Sequence, residues 1–208
     1  MEICGPKYGH GKGKIIGFRN FLRKNEFIKI SYNGNLPHWD QDGVLQFVTF
    51  RLNDSLPQIK LDEFRQIKEE WQEKHPKPWS IETMEEYQDL FEVIEDWLDK
   101  GYGDCVLKFE PVQRIIEETL DYYDGERYEL FDYIIMPNHV HLLIIPGTAY
   151  TLEQLLHTIK GYSANKINKI LNRKGKLWQK ESFDRMIRNR DDYMVKKEYI
   201  KHNGDYMG

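Results

Sequence analysis

The sequence predicts an α+β fold: a ferredoxin-like βαββαβ antiparallel sheet with helices on one face, an inserted acidic helix and a C-terminal helix carrying Tyr199. Three observations predict it. Apolar residues alternate with period two over residues 44–52, and two apolar runs parted by Pro137-Asn138 follow Gly125, apolar on both faces around the histidines, each a pattern of strands. Elsewhere the period lengthens to that of amphipathic helices, in the order β-α-(α)-α-β-β-α-β-α, which becomes βαββαβ plus a last helix once one helix is set aside. A chain of 208 residues, 40 % apolar, 31 % charged and 13 % aromatic, can bury a core and is not a disordered composition.

Residues 1–38 are rich in Gly, Lys and Asn, with only "KIIGFRNFL" and "EFIKIS" apolar enough to pair. The GxxxxGK[ST] spacing of a phosphate loop is absent, so this stretch reads as a loosely docked basic extension, with the main domain spanning 39–208. "VLQFVTFRL" alternates and is aromatic and β-branched, hence a strand. "LPQIKLDEFRQIKEEWQEK" is helical up to the breakers Pro76 and Pro78. An insertion of about residues 76–108 follows. Its acidic helix runs from Ser80 to a Gly101 stop, packing by Leu90, Phe91, Ile94, Trp97 and Leu98 and turning its carboxylates to solvent, with no catalytic role. "PVQRIIEETLDYYDG" is a third helix, Pro111 in its first turn and Gly125 at its end. "RYELFDYIIMP" and "HVHLLIIP" are strands parted by Pro137-Asn138. "TLEQLLHTIKGYSANKINKILNRKG" is a basic helix, "LWQKESFDRMIR" a strand and "DDYMVKKEYIKHN" the last helix, with Asp191 and Asp192 at its positive end.

The net charge of −4 conceals a segregation. Residues 61–100 hold five Lys/Arg against thirteen Asp/Glu, residues 151–208 thirteen against seven, and residues 1–38 seven against two. Such a chain can bind a polyanion on one face. Lys160, Lys166, Lys169, Arg173, Lys174 and Lys176 crowd one helix and its exit, and Tyr162 and Trp178 are available to stack bases. No apolar run approaches the roughly 18 residues of a membrane span and the start lacks an apolar signal core, so the expectation is a cytoplasmic protein. Cys4 and Cys105 have neither zinc spacing nor a disulfide framework and read as ordinary thiols.

The chemistry concentrates in "IIMPNHVHLLIIP". Residues i and i+2 of a strand share a face, so His139 and His141 point together and can meet one ion, while Val140 and Leu142 point away. Apolar neighbours on both sides make this a central strand, where two imidazoles without partners are costly. Hydrogen-bonded core histidines and the ligands of a zinc hydrolase remain open on this pattern alone. On the last helix Tyr199 and Asn203 lie four apart, hence on one face. A metal bound by Asn203 could then polarise what Tyr199 attacks; the plain alternative is a packing tyrosine beside a helix cap.

"YIIMPNHVHLLI", the basic helix, "GKLWQKESFDRMIR" and "YIKHN", in this order, resemble the HUH single-strand transposases, and most of all the REP-associated tyrosine transposases. The resemblance runs roughly from Leu36 to Asn203 and includes "LPHWDQDGVLQFVTFRL", "LDKGYGDCVL" and "YYDGERYEL". It implies that His139 and His141 are the HUH metal pair, that Asn203 takes the place of the third polar ligand, and that Tyr199 is the nucleophile. It departs from the family pattern after Asn203, where Gly204-Asp205 stands in place of a proline and further tail.

That likeness implies a metal-dependent single-stranded DNA endonuclease and strand transferase working through a 5′-phosphotyrosine, on hairpin or repeat DNA, as a monomer or homodimer. Two imidazoles and an amide oxygen suit Mg²⁺ or Mn²⁺ while leaving Zn²⁺ open. The competing reading is a domesticated, non-catalytic protein that binds single strands or hairpins. A zinc hydrolase of small substrates gains nothing from the basic helix.

Overall fold

A computed structural model describes residues 1–12, 15–24, 26, 28–33, 36–77 and 79–203, the pair of strands at 29–33 and 36–40 by backbone alone. The elements in chain order are β1 (Lys7–His10), β2 (Lys29–Asn33), β3 (Leu36–Asp40), β4 (Gln46–Arg51), α1 (Gln58–Lys74), α2 (Ile81–Asp89), α3 (Glu92–Leu98), α4 (Glu110–Tyr122), β5 (Tyr128–Ile135), β6 (His139–Pro146), α5 (Leu152–Ile170), β7 (Phe183–Met186) and α6 (Arg190–His202). Five strands form one antiparallel sheet in the order β1-β5-β6-β4-β7, and β2 and β3 form a separate hairpin. Without β1, the order β5-β6-β4-β7 is that of the expected βαββαβ core, with β6 and β4 at its centre.

The extension expected over residues 1–38 is not loosely docked throughout. Lys7–His10 pairs with β5 from Ile135 to Asp132, and the β2–β3 hairpin crosses position 38. Alternation on a short Gly-interrupted segment is too weak to read as an edge strand, but the unpaired backbone of β5 supplies the template.

Period two divides each central strand between two faces. Val48, Phe50, Val140, Leu142 and Ile144 point to one side, where α4 and α5 bring Val112, Ile116, Leu155 and Ile159. Phe47, Leu143, Ile145 and the two histidines point to the other, where α6 packs by Ile200. The expected layer of helices on one face is therefore α4 and α5, while α6 lies across the opposite face.

The acidic insertion also lies on the α6 side. It is two helices rather than one, broken at Leu90–Phe91, where the Phe91 ring turns into a cluster with Phe64 and Phe183 at centroid separations of 5.4 and 4.9 Å. Ser80 caps α2 by accepting from the Thr83 amide. The return to α4 passes Gly103 at φ +89°, where a Cβ would meet the Asp54 carbonyl oxygen at 2.5 Å. Only glycine allows that approach. The basic helix α5 stops at Ile170, before Gly175, because Asn172 adopts a left-handed conformation (φ +50°) and the Asn172 and Arg173 amides return to the Lys169 and Asn168 carbonyls. Arg173, Lys174 and Lys176 thus follow the helix rather than extend it. Among the described residues no helix is long and apolar enough to cross a membrane.

Candidate metal centre and tyrosine

His139 and His141 are fully buried on β6 and face the same side, as their spacing requires. Their outer nitrogens are fixed by two separate chains of contacts. Asn138 donates its amide hydrogens to the Leu98 and Tyr102 carbonyls, at 3.2 and 3.0 Å, so its Oδ1 is left to face His139 Nδ1 at 2.7 Å. A flipped amide would set oxygen against two carbonyl oxygens. His139 Nδ1 therefore carries the hydrogen, and its Nε2 is bare. On the neighbouring strand Thr49 is the cross-strand partner of His141, and its Oγ1 lies 2.7 Å from His141 Nδ1.

The two Nε2 atoms converge at 2.9 Å. Burial holds both rings neutral, pushing the His139 pKa down to about 3 and that of His141 well below its usual value, with His139 and Lys196 adding to the latter shift. A 2.9 Å separation is close to that of two cis ligands about 2.0–2.1 Å from an octahedral ion. A divalent cation placed there would satisfy both lone pairs at once.

The third member comes from the insertion. Asp99, at the C-cap of α3, places Oδ1 3.5 Å from His139 Nε2, and the ligand atoms of Asp99, His139 and His141 all lie within 4.8 Å of one another. Two imidazoles and one carboxylate make a ligand set for a divalent transition or alkaline-earth ion. Burial pushes the Asp99 carboxyl up to about 6, against hydrogen bonds from Asn203 and Tyr199. Asn203, suggested by the sequence as a ligand, caps α6 and donates its amide to Asp99 Oδ1 at 3.4 Å. The expectation that the insertion only shows carboxylates to solvent is overturned at Asp99 and at the buried Glu95. The available signal was that Glu95 and Asp99 lie one turn apart, flanking the apolar Ile94 and Leu98; nothing local says that His139 waits 40 residues on.

Tyr199 sits over this cluster. Its hydroxyl is 3.4 Å from Asp99 Oδ2 and 3.5 Å from His141 Nε2, with the ring edge-on to His141 at 5.2 Å and to Phe47 at 6.1 Å. Burial, then the charges of Glu95 and Asp99, raise its pKa above the ordinary phenol value. The hydroxyl is thus protonated at neutral pH, with a carboxylate in reach to accept that proton. Tyr193 packs at the edge of the same apolar cluster, and Tyr206 lies outside the described residues.

The basic residues are placed differently from one another. Tyr162, Lys166, Lys169, Lys174 and Lys176 are exposed, with Lys166 4.8 Å over the Tyr162 ring. Arg173 is half-buried and 3.7 Å from Asp104. Lys160 is tied to the Lys180 carbonyl and Ser182 Oγ at 2.8 and 3.1 Å, and burial lowers its pKa to about 8. Trp178 is buried, edge-on to Phe50, with its indole N–H donating to Ser163 Oγ at 3.0 Å. It belongs to the core and offers no open face for a base. A groove of about 1280 Å³ runs beside α5, lined by His157, Lys160, Asn168, Lys176 and Lys180 among others. α5 packs on the face of the sheet opposite the histidines.

Residues 104–203 match the family model described as Transposase IS200 like. The matched stretch contains His139, His141, Tyr199 and Asn203, whereas Thr49, Glu95 and Asp99 precede it. No curated protein is significantly similar to the chain. Among solved structures, a REP-associated tyrosine transposase bound to a REP hairpin is 14 % identical over 85 % of this chain and 75 % of its own, with a TM-score of 0.46. A Deinococcus radiodurans R1 protein provisionally assigned as a transposase is 12 % identical over 77 % of this chain and 90 % of its own, with a TM-score of 0.33. Likenesses this remote do not bear on activity.

Proposed function

We propose that the protein is a transposase-like, metal-dependent endonuclease and strand transferase of single-stranded DNA, in which Tyr199 is the nucleophile. The observation that carries this reading is the Tyr199 hydroxyl, 3.5 Å from His141 Nε2 and 3.4 Å from Asp99 Oδ2, above two imidazoles whose bare nitrogens converge. The family match over residues 104–203 supports it independently.

His139, His141 and Asp99 are the residues suited to hold Mg²⁺ or Mn²⁺, with Asn203 donating to Asp99. Bound there, a divalent ion supplies Lewis-acid withdrawal of charge from a phosphodiester. The chain's own part is positioning and proton transfer. The Tyr199 oxygen attacks phosphorus in line with the 3′ oxygen of the upstream nucleotide, and its proton passes to Asp99 Oδ2. The P–O3′ bond breaks, the leaving oxygen takes up a proton, and the products are a 5′-phosphotyrosyl link and a free 3′-hydroxyl. The reverse reaction rejoins a strand without a nucleotide cofactor, because the bond energy is kept in the tyrosyl ester. The exposed lysines on and after α5 supply sequence-independent phosphate contacts.

Incubation with labelled hairpin-bearing single strands and Mn²⁺, followed by a denaturing gel, is expected to show a covalent protein–DNA adduct. It should be absent from Tyr199→Phe, which keeps the ring. Hairpin binding without any adduct in the wild type would establish the non-catalytic binder instead, and an adduct persisting in Tyr199→Phe would move the nucleophile elsewhere.

A further inference from the structure

Behind His141 lies a line of buried polar groups drawn from three elements that the metal-centre chemistry does not use directly. Thr49 on β4 faces His141 across the strand pair, 2.7 Å from Nδ1. Its Oγ1 is also 3.4 Å from Glu95 Oε1 on α3, and the second oxygen of Glu95 accepts from Lys196 Nζ on α6 at 3.3 Å. Thr49, Glu95 and Lys196 are 1, 9 and 6 % exposed, so water does not offer alternative partners for this line. The Phe47 ring closes it from one side, stacked on His141 at 5.2 Å and 4.8 Å from Lys196 Nζ.

The hydrogens in this line can be assigned by counting donors. Lys196 only donates, and its charge and hydrogen bond, with the charge of Arg185, act against the burial that raises the Glu95 pKa; as the carboxylate, Glu95 only accepts. The single hydroxyl hydrogen of Thr49 is then directed at Glu95, and the lone pair left on Oγ1 can only accept from His141 Nδ1. Nδ1 must bear the ring hydrogen, and Nε2 is left bare toward His139. Asn138 imposes the same tautomer on His139 by a route that shares no residue with this one.

We propose that Thr49, Glu95 and Lys196 form a positioning chain that holds His141 in its Nδ1–H tautomer and so keeps Nε2 free for the divalent ion. The role as metal support rests on the function proposed above; the tautomer itself does not. The chain has a second consequence. Lys196 is one turn before Tyr199 on α6, with Nζ 5.3 Å from its ring, and Glu95 is one turn before Asp99. The same contacts that orient the ligand therefore dock the helix bearing the tyrosine against the helix bearing the carboxylate.

The test uses ¹⁵N NMR of the histidine side chains in the full chain without metal, with Mn²⁺ affinity measured separately by EPR titration. Wild type and Thr49→Ser are expected to show His141 as Nδ1–H. Thr49→Val, which removes one hydroxyl with little change of shape, should leave a mixture of tautomers. Glu95→Gln should favour Nε2–H, because an amide can donate to Thr49 and turn its hydrogen toward Nδ1. Mn²⁺ affinity should fall about 10- to 100-fold in Thr49→Val, the range for lost outer-shell partners, and be retained in Thr49→Ser. If Glu95→Gln does not fold, Thr49→Val alone decides. His141 remaining Nδ1–H in Thr49→Val overturns the proposal. A wild type that takes up no Mn²⁺ while its tautomers shift as described would remove the metal reading and leave the positioning chain standing.

Discussion

On one face of β6, Val140, Leu142 and Ile144 meet α4 and α5 in an apolar core; on the other, His139 and His141, from the same eight residues, make polar contacts with Asn138, with Thr49 on β4, with Asp99 at the end of α3 and with Tyr199 on α6. The first face is held by area removed from water and tolerates rearrangement as long as volume is kept. The second is held by matching of donors to acceptors, where a single unmatched buried group costs about 1–3 kcal/mol. One strand can serve both because alternation keeps the histidines off the α4–α5 face, although Leu143 and Ile145 give their own side an apolar cluster as well. Stability and chemistry are thus built on opposite sides of the same sheet, and substitutions on the two sides should fail in different ways.

The largest effect on stability is expected on the apolar face. Trp178→Ala removes an indole packed edge-on to Phe50 and leaves Ser163 Oγ without its donor. The cost should be about 3–5 kcal/mol, as for other buried aromatic truncations. Mn²⁺ affinity of the fraction that remains folded should be unchanged. Urea unfolding separates this from a base-stacking role, which would leave stability intact and weaken DNA binding.

On the polar face the expected loss is of ligand binding rather than of fold. Asp99→Ala removes one of three convergent groups and should weaken Mn²⁺ binding beyond the about 10- to 100-fold of an outer-shell loss. Asn203→Ala removes only a donor to Asp99 and should stay within that range. Calorimetric titration of both variants ranks the two residues. A larger loss in Asn203→Ala than in Asp99→Ala would make the amide the ligand and Asp99 its support.

The two faces also differed in how far the sequence disclosed them. "HVHLLIIP" announces a central strand and a shared histidine face because both follow from period two within a few residues. The βαββαβ core was legible for the same reason, each element carrying its own pattern. Asp99 was not legible, since its meaning comes from His139, Tyr199 and Asn203, 40 to 104 residues away, and its neighbours read as an ordinary acidic helix. Trp178 misled in the opposite direction. Set among lysines it resembles a stacking residue, and only the packing of Phe50 and Ser163 against it shows a core position. Lys160 follows the same logic, its ammonium used to tie down residues 180–182. Charge runs report composition along the chain, whereas burial is decided by what the other elements bring.

The smallest of these effects is a pH dependence confined to the polar face. In the metal-free fold His139 is held neutral, with a pKa near 3 against 6.5 for a free imidazole, and His141 is shifted the same way. Between those values the unfolded chain binds protons that the folded chain refuses, so stability is complete above pH 6.5 and is lost as pH falls. Asp99 works in the other direction, because its carboxyl is raised from 3.8 to about 6 and the folded state holds the extra proton in that interval. Burial raises the Glu95 carboxyl in the same way as Asp99, so the histidine contribution is read from the difference between wild type and a variant that lacks the ring. At pH 5.5 the buried His139 imidazole should cost about 1.4 kcal/mol, the equivalent of one pH unit below its unfolded value, and His141 adds in the same direction. Urea midpoints in chelator at pH 7.5 and 5.5 should show wild type losing more stability on acidification than His139→Gln. Equal losses would mean that the His139 ring is already charged in the fold, and the converging pair of bare nitrogens would go with it.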